Sequence, residues 1–371
     1  MDEVRITIIG AGVIGLSIAA ELSKKFSDIF IIEKNDNFGQ ETSSRNSEII
    51  HAGIYYPNDS LKFKLCREGS AYLYETCKKA SIPCKQIGKI IIATEEAELS
   101  PLEKLFKKGK SNGLDELKLL DKNDIKKIEP GTNAIAGIYS PRTGIIDSHT
   151  LMKHFVTMAK SNGVEIVYQS EVNFLSKENG KFLIGLKQDE YLFKSKIVIN
   201  CAGLFSDKIA SLIGLDPDKL GYRIHFCKGD YFCYTKASPV SLLVYPLPDE
   251  FCTGLGIHAT LDMGSRLRFG PDDEYVSEID YKVDHNKADK FYKAAQKIVP
   301  GLERDSIVPD MSGIRPKIQG PNESFKDFII KNESERDLNG FINLIGIESP
   351  GLTACMAIAR MVSDMAATIL N

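Results

Sequence analysis

The stretch "VRITIIGAGVIGLSIAAELSKKFSDIFIIEK", residues 4–34, constrains this chain more than any other. Its first seven residues read as a buried parallel strand that ends in glycine. Gly10-Ala11-Gly12-Val13-Ile14-Gly15 follows, and then small and apolar residues at helical spacing up to about Phe26. "DIFIIEK" reads as a second strand that delivers Glu33 and Lys34. Each glycine has its own task. Gly10 permits the tight turn, Gly12 lets a pyrophosphate approach the backbone, and Gly15 lets the helix lie close to the strand. The first helical N–H groups, around Val13 and Ile14, offer partial positive charge to phosphate. Glu33 is placed to accept from a ribose 2′-hydroxyl, and an acid there argues against a 2′-phosphate. These parts in this order point to a dinucleotide. The competing reading is a βαβ unit whose glycines serve packing only.

A nicotinamide-binding domain would continue with βα repeats. Here the pattern breaks into "NDNFGQETSSRNSEIIHAGIYYP". Thr42, Ser43, Ser44, Asn46 and Ser47 supply short donors and acceptors with no helical or strand period. Such a segment suits the ribityl chain and ring of a long cofactor, which favours FAD over NAD.

The totals bound the rest. A chain of 371 residues suggests one large domain or two joined ones. Apolar content of 43% and charged content of 26% fit a soluble globular protein. A net charge of −3 gives no nucleic-acid footprint, and the lysine-rich pieces read as solvated helix faces. The eight cysteines form no C-x-x-C pair and no zinc spacing, and no signal-peptide core is present, so a reducing cytoplasm with free thiols is expected. The longest apolar stretch, Ile6 to Ala20, is too short to span a bilayer, which leaves peripheral membrane contact open. The histidines do not cluster in sequence, so no catalytic metal is expected.

Six segments together resemble a known family, the FAD-dependent oxidoreductases of the D-amino-acid-oxidase type. They are "GAGVIGLSIAAEL", "ETSSRNSEIIHAGIYYP", "NCAGLFSDKIA", "YPLPDEFCTGLGIHATLD", "SGIRPKIQGP" and "GIESPGLTACMAIA". Within the family the chain looks like the L-2-hydroxyglutarate dehydrogenase/oxidase group, with glycerol-3-phosphate oxidases nearby. The resemblance implies an α/β fold with α+β elements: a Rossmann-like FAD-binding domain and a mixed-sheet substrate domain over the flavin. The expected division is 1–85, 141–220 and 309–371 for FAD, and 86–140 and 221–308 for substrate. It also implies FAD contacts at Val172, Ala202, Gly203 and Gly313, and at Pro350-Gly351-Leu352-Thr353, where a helix N-terminus would stabilise negative charge on the reduced ring. No Cys or His lies in Gly346–Thr353, so FAD is expected to be non-covalent.

Arg315 of "GIRP" is the expected carboxylate clamp, with Lys317 as a second charge. His51 is the expected general base, and His258 is a rival base or a substrate ligand. Tyr245, Tyr55 and Tyr56 are candidates for the pocket wall. The expected reaction takes an L-2-hydroxy acid, L-2-hydroxyglutarate first, to the 2-oxo acid, with hydride passing to flavin N5 and then to oxygen or a membrane quinone. Glycerol 3-phosphate, an amino acid, and a flavin-carrying subunit without turnover are the alternatives. Elsewhere, "IGKIIIAT" and "VEIVY" read as strands, "FLIGLKQDEYLFKSKIVINCAG" as a small antiparallel meander that returns as a buried strand into Gly203, "GPDDEY" as a hairpin-like turn, and Ser148 as the cap of a helix from His149.

Overall fold

A computed structural model describes residues 2–187, 191–248 and 256–370. Part of "YPLPDEFCTGLGIHATLD", Cys252 included, lies outside the described residues.

The strand Glu3–Ile9 forms as expected and lies at the centre of an eight-stranded sheet. It pairs in parallel with Ile29–Ile32 on one side and Leu192–Asn200 on the other, with Ile6 opposite both Ile29 and Ile197. Glu165–Val167, from "VEIVY", adds in parallel beside Ile29–Ile32. Leu338–Ile345 joins Leu192–Asn200 in parallel from the far end of the chain. Lys181–Leu186 and the start of Leu192–Asn200 pair antiparallel as expected, and Val172–Glu178, not foreseen as a strand, adds to Lys181–Leu186 as a third antiparallel strand.

Alternation along these strands feeds two cores. Ile6, Ile8, Ile31, Ile197 and Ile199 face the helices Val13–Leu22, Ser148–Ser161 and Gly351–Leu370. Ile9, Ile32, Val198 and Phe341 face the other way, toward Ser206–Leu212. Helix Val13–Leu22 stops four residues short of Phe26, where Lys25 and Phe26 N–H groups close a turn on Leu22 O. Asp147 caps helix Ser148–Ser161, accepting from Thr150 N. Ser148, the expected cap, is the first helical residue, and its hydroxyl donates to Glu48 instead.

The second sheet has nine strands and is mixed. Its middle is Leu243–Pro246 lying parallel to Lys89–Ala93, with Leu243 opposite Lys89 and Tyr245 opposite Ile91. His225–Tyr234 pairs along its length with Ile307–Lys317, so residues 309–317, assigned by sequence to the first unit, hydrogen-bond into this sheet. The segment "GPDDEY" is not a hairpin. Leu267–Phe269 and Glu274–Val276 both pair antiparallel with His225–Tyr234, and residues 270–273 interrupt them. The cause is Asp272, whose carboxylate accepts from Asp230 N at 2.9 Å in place of a ladder bond.

A three-stranded patch of Ile49–Ile50, Gly144–Ile146 and Cys84–Lys85 joins the two large sheets. Among the described residues, Gly351–Leu370 is the helix long and apolar enough to cross a membrane, with mean hydropathy 1.3. Half of it is buried against helices Val13–Leu22 and Leu61–Ala80.

Candidate active site

The glycine turn closes one end of a cavity of about 1300 Å³. Gly10 has φ +106°, and a Cβ there would lie 2.6 Å from Cys201 O. A Cβ on Gly15 would meet Gly10 O at 2.0 Å, so this glycine serves the helix–strand approach and does not face the cavity. Gly12 does face it. Its absent side chain leaves only Ser43 Oγ nearby, which would be 2.9 Å from an added Cβ. Ser43 Oγ also accepts from Val13 N at 2.9 Å.

Glu33 turns both carboxylate oxygens onto backbone donors, Ala11 N at 2.7 Å and Asn35 N at 2.9 Å. Each oxygen keeps a second lone pair, and Glu33 lines the cavity where a ribose hydroxyl would lie.

The irregular run after Glu33 folds as a short 3₁₀ turn, Thr42–Ser44, and then crosses to the second sheet. Thr42 Oγ1 donates to Ile314 O at 2.9 Å. The crossing is close: a Cβ on Gly313 would lie 2.1 Å from Arg45 O. Thus the "GIRP" strand needs glycine beside its arginine so that this run can pass. Ser47 Oγ lies 2.8 Å from Tyr231 OH. Thr42, Ser43 and Ser47 line the cavity, while Ser44 points back at Glu41 O.

The other expected cofactor residues reach the same space. Val13, Ile14, Lys34, Val172, Ala202, Gly203, Gly313, Pro350, Gly351 and Leu352 all line it. Thr353 does not. It is fully buried behind the wall, accepting from His51 N at 3.0 Å and donating to Ile49 O at 3.1 Å. It therefore fixes the histidine backbone. These residues fit an extended dinucleotide: a side-chain-free cradle at Gly12, an acid at one end, hydroxyls in the middle, and a helix start at the far end.

That far end is a chamber between the sheets. Arg315 is held by backbone carbonyls: Asp272 O at 2.8 Å, Cys227 O at 3.4 Å and Lys228 O at 3.5 Å. The interruption at 270–273 is what presents the Asp272 carbonyl. Burial works against the Arg315 charge, but nearby Cys227, Glu348 and Tyr231 favour it, and it stays fully cationic.

His258 Nδ1 lies 2.9 Å from Gly256 O. A carbonyl only accepts, so Nδ1 carries the hydrogen and Nε2 keeps a lone pair. The His258 ring stacks on Tyr245, with centroids 3.9 Å apart. Burial, with Lys89 and Arg315 adding to it against the Gly256 hydrogen bond, pushes His258 down to about 3. His51 lies in the wall with Nε2 3.5 Å from Ser349 Oγ. Burial, then Lys89 and His258, pushes it down to about 3 as well. Burial raises both Tyr55 and Tyr245, so these pocket phenols stay neutral.

Two contributors escape sequence reading. Lys62 Nζ lies 2.9 Å from Glu348 Oε1, and Lys317 Nζ lies 3.8 Å from the same oxygen. All three line the cavity near Arg315 and are buried. Lys89 is the other, 1% exposed at the start of its strand. A signal existed for it: the period of two puts Lys89 on the same face as Ile91 and, across the parallel pair, Tyr245.

Known proteins fit this geometry. The profile of the FAD dependent oxidoreductase family matches residues 5–365. The mitochondrial L-2-hydroxyglutarate dehydrogenase of Arabidopsis thaliana is 35% identical, over 98% of this chain and 83% of its own. A glycerol 3-phosphate dehydrogenase of Caloramator mitchellensis is 32% identical, over 97% of this chain and 73% of its own. Among solved structures, the FAD-bound L-alpha-glycerophosphate oxidase of Mycoplasma pneumoniae superposes with TM-score 0.86 at 27% identity, covering 100% of this chain and 95% of that one. Glycine oxidase of Geobacillus kaustophilus, at 18% identity and TM-score 0.83, shares the fold. The chain belongs to the FAD-dependent oxidoreductase family of the D-amino-acid-oxidase type, and its cofactor is FAD.

Proposed function

We propose that this chain oxidises L-2-hydroxyglutarate to 2-oxoglutarate. The observation that carries the reading is Arg315, a half-buried guanidinium at the cavity held by backbone carbonyls, with two further cations close by. A substrate with two carboxylates matches that charge. The full-length similarity to L-2-hydroxyglutarate dehydrogenases supports the same choice.

FAD, when bound, supplies the two-electron acceptor. The protein's residues do the rest. Arg315 grips the C1 carboxylate through paired N–H groups, which fixes the C2 carbon and its hydroxyl. Lys317 and Lys62 face the distal carboxylate. His51 and His258 form the basic side of the chamber, and one of them takes the C2 hydroxyl proton as the C2–H electron pair leaves. Burial, first among the causes, keeps both imidazoles unprotonated near neutral pH, so each carries a free lone pair. Tyr245 holds the His258 ring in plane and excludes water. Fixing donor and acceptor at reacting distance is worth several kcal/mol, on the order of 7–11 in well-oriented systems.

One observation favours a second substrate. Three cations around one carboxylate also suit a phosphate, so glycerol 3-phosphate is the competitor. An amino acid, with one carboxylate and an ammonium group, matches less well. We further propose that FAD is held non-covalently, that oxygen or a membrane quinone takes the electrons, and that the protein works in the cytoplasm or peripherally at the inner membrane face.

The test is anaerobic bleaching of the flavin band by each substrate. L-2-hydroxyglutarate should bleach wild type rapidly, and Arg315→Lys should lose roughly a hundredfold or more in kcat/KM, because an ammonium lacks the paired geometry. Bleaching by glycerol 3-phosphate alone would replace the substrate.

A further inference from the structure

Asp272 stands in the interruption between Leu267–Phe269 and Glu274–Val276 and is 3% exposed. Its backbone and its side chain have different partners. The carbonyl accepts from Arg315 Nη2 at 2.8 Å. The carboxylate is tied down on both oxygens. Oδ1 accepts from Asp230 N at 2.9 Å, and Oδ2 accepts from Lys290 Nζ at 2.9 Å, with Lys287 Nζ at 3.2 Å. Lys287 Nζ also lies 2.8 Å from Asp230 Oδ2 and 2.7 Å from Glu274 Oε2. The cluster thus fastens the interruption to strand His225–Tyr234 and to the start of helix Ala288–Ile298.

A buried carboxylate is costly unless it is paired and hydrogen-bonded. An asparagine at 272 could accept from Asp230 N equally well. The charge adds the two lysines, and with them a fixed place for the backbone of residue 272. The surroundings leave room for its carbonyl. A Cβ on Gly229 would lie 2.8 Å from Asp272 O and 3.4 Å from Arg315 Nη2, so a bare backbone is needed beside this bond. The other two carbonyls on Arg315, Cys227 O and Lys228 O, lie at 3.4 and 3.5 Å, which is long for a hydrogen bond. The bond to Asp272 therefore does most to set the guanidinium plane, and a planar fork grips a carboxylate through two bonds only when that plane is set.

We propose that Asp272 is a positioning residue for the substrate clamp: its carboxylate, held by Asp230 N, Lys287 and Lys290, fixes its own carbonyl, and that carbonyl fixes Arg315. The inference rests on the reading of Arg315 as the clamp. Arg315 and Gly229 line the cavity and Asp272 lies behind them, so its influence on substrate passes through the guanidinium.

The experiment is a double-variant cycle on flavin-loaded protein: wild type, Asp272→Ala, Arg315→Lys and the pair, each bleached anaerobically with L-2-hydroxyglutarate. In the arginine background Asp272→Ala should lower kcat/KM roughly tenfold or more, the size of one hydrogen bond to a charged group. In the Arg315→Lys background the same change should cost less than about twofold, because the fork it positions is gone. Asp272→Asn keeps an acceptor for Asp230 N and loses the lysines. It should show the same pattern at about threefold, and it takes over the test if Asp272→Ala does not load flavin. Equal losses in both backgrounds would overturn the proposal, since a generally loosened sheet harms both alike. So would an unchanged kcat/KM in the arginine background. If glycerol 3-phosphate alone bleaches the flavin, the same proteins are read with it, because the fork then holds a phosphate, and the same outcomes decide. Wild-type kcat/KM in Arg315→Lys alone would end the clamp reading itself, a failure distinct from equal losses in the cycle.

Discussion

Replacing Glu348 with glutamine removes one negative charge and almost no volume. The Glu348 side chain is 8% exposed, and those of Lys62 and Lys317 are 6% and 5%. Both ammonium groups share Oε1, at 2.9 and 3.8 Å. Burial alone would raise the Glu348 carboxyl. Lys62, Lys317 and Arg315 outweigh it and hold the group below the usual carboxylate range. In Glu348→Gln the lysines keep their burial and lose the shared counter-charge. A raw Coulomb energy at 2.9 Å is about 6 kcal/mol at an effective dielectric of ~20. Carboxylate desolvation, no longer incurred, offsets part of this. Losing one member of a buried pair is accordingly expected to cost about 3–5 kcal/mol. Urea unfolding near neutral pH, followed by circular dichroism, measures the loss. The pH dependence has a definite sign. The folded-state pKa is depressed, so the stabilisation is full above the unfolded value of about 4.3 and disappears as pH falls through the folded value. The gap between wild type and Glu348→Gln should therefore be widest near neutrality and close in acid. A gap below about 1 kcal/mol, or one that widens in acid, would refute the reasoning. Adding Lys62→Met should recover part of the loss, because one stranded cation goes with it.

Gly12→Ala and Gly15→Ala should separate the two uses of glycine at the turn. The Gly12 Cβ meets a movable hydroxyl, so the fold should survive within about 1–2 kcal/mol while FAD affinity, read by fluorescence titration, drops at least roughly tenfold. The Gly15 Cβ meets backbone at 2.0 Å, so Gly15→Ala should lose both folding stability and FAD. Asp147→Ala should cost about 1 kcal/mol in chemical denaturation through its lost cap and leave FAD binding unchanged, whereas Ser148→Ala should disturb only the bond to Glu48.

What was legible in sequence was local or periodic. The strand–glycine–helix–strand start depends on backbone sterics within thirty residues, and each glycine has the neighbour its task requires: Cys201 O for Gly10, Gly10 O for Gly15, and open cavity for Gly12. The "ETSSRNS" run read as cofactor lining because so many short polar groups without a period have no other use. Even so, part of its polarity serves structure: Thr42 ties the run to the "GIRP" strand, and Ser44 closes its own turn. Thr353 misled for a similar reason. It sits in a motif that lines the cavity, but helical geometry turns its hydroxyl back toward His51.

Arg315 and Lys317 are singled out by the sequence, but Lys62, Glu348 and Lys89 escape it because their meaning is long-range. Lys62 opens a helix and Glu348 precedes another, 286 positions away, and each alone looks like a solvated surface residue. Lys89 looks like a strand-flanking lysine until its aromatic cover arrives from residues 55 and 245. The electrostatics follow from this. Arg315, Lys62 and Lys317 gather at one wall with the carboxylate of Glu348, and Asp273 lines the same cavity. On the proposed reading, an anionic substrate completes the charge balance at that wall. A variant at Lys62 or Lys317 should then raise KM with little change in kcat, whereas a variant at Arg315, whose charge also lowers the proton affinity of His258, should change both.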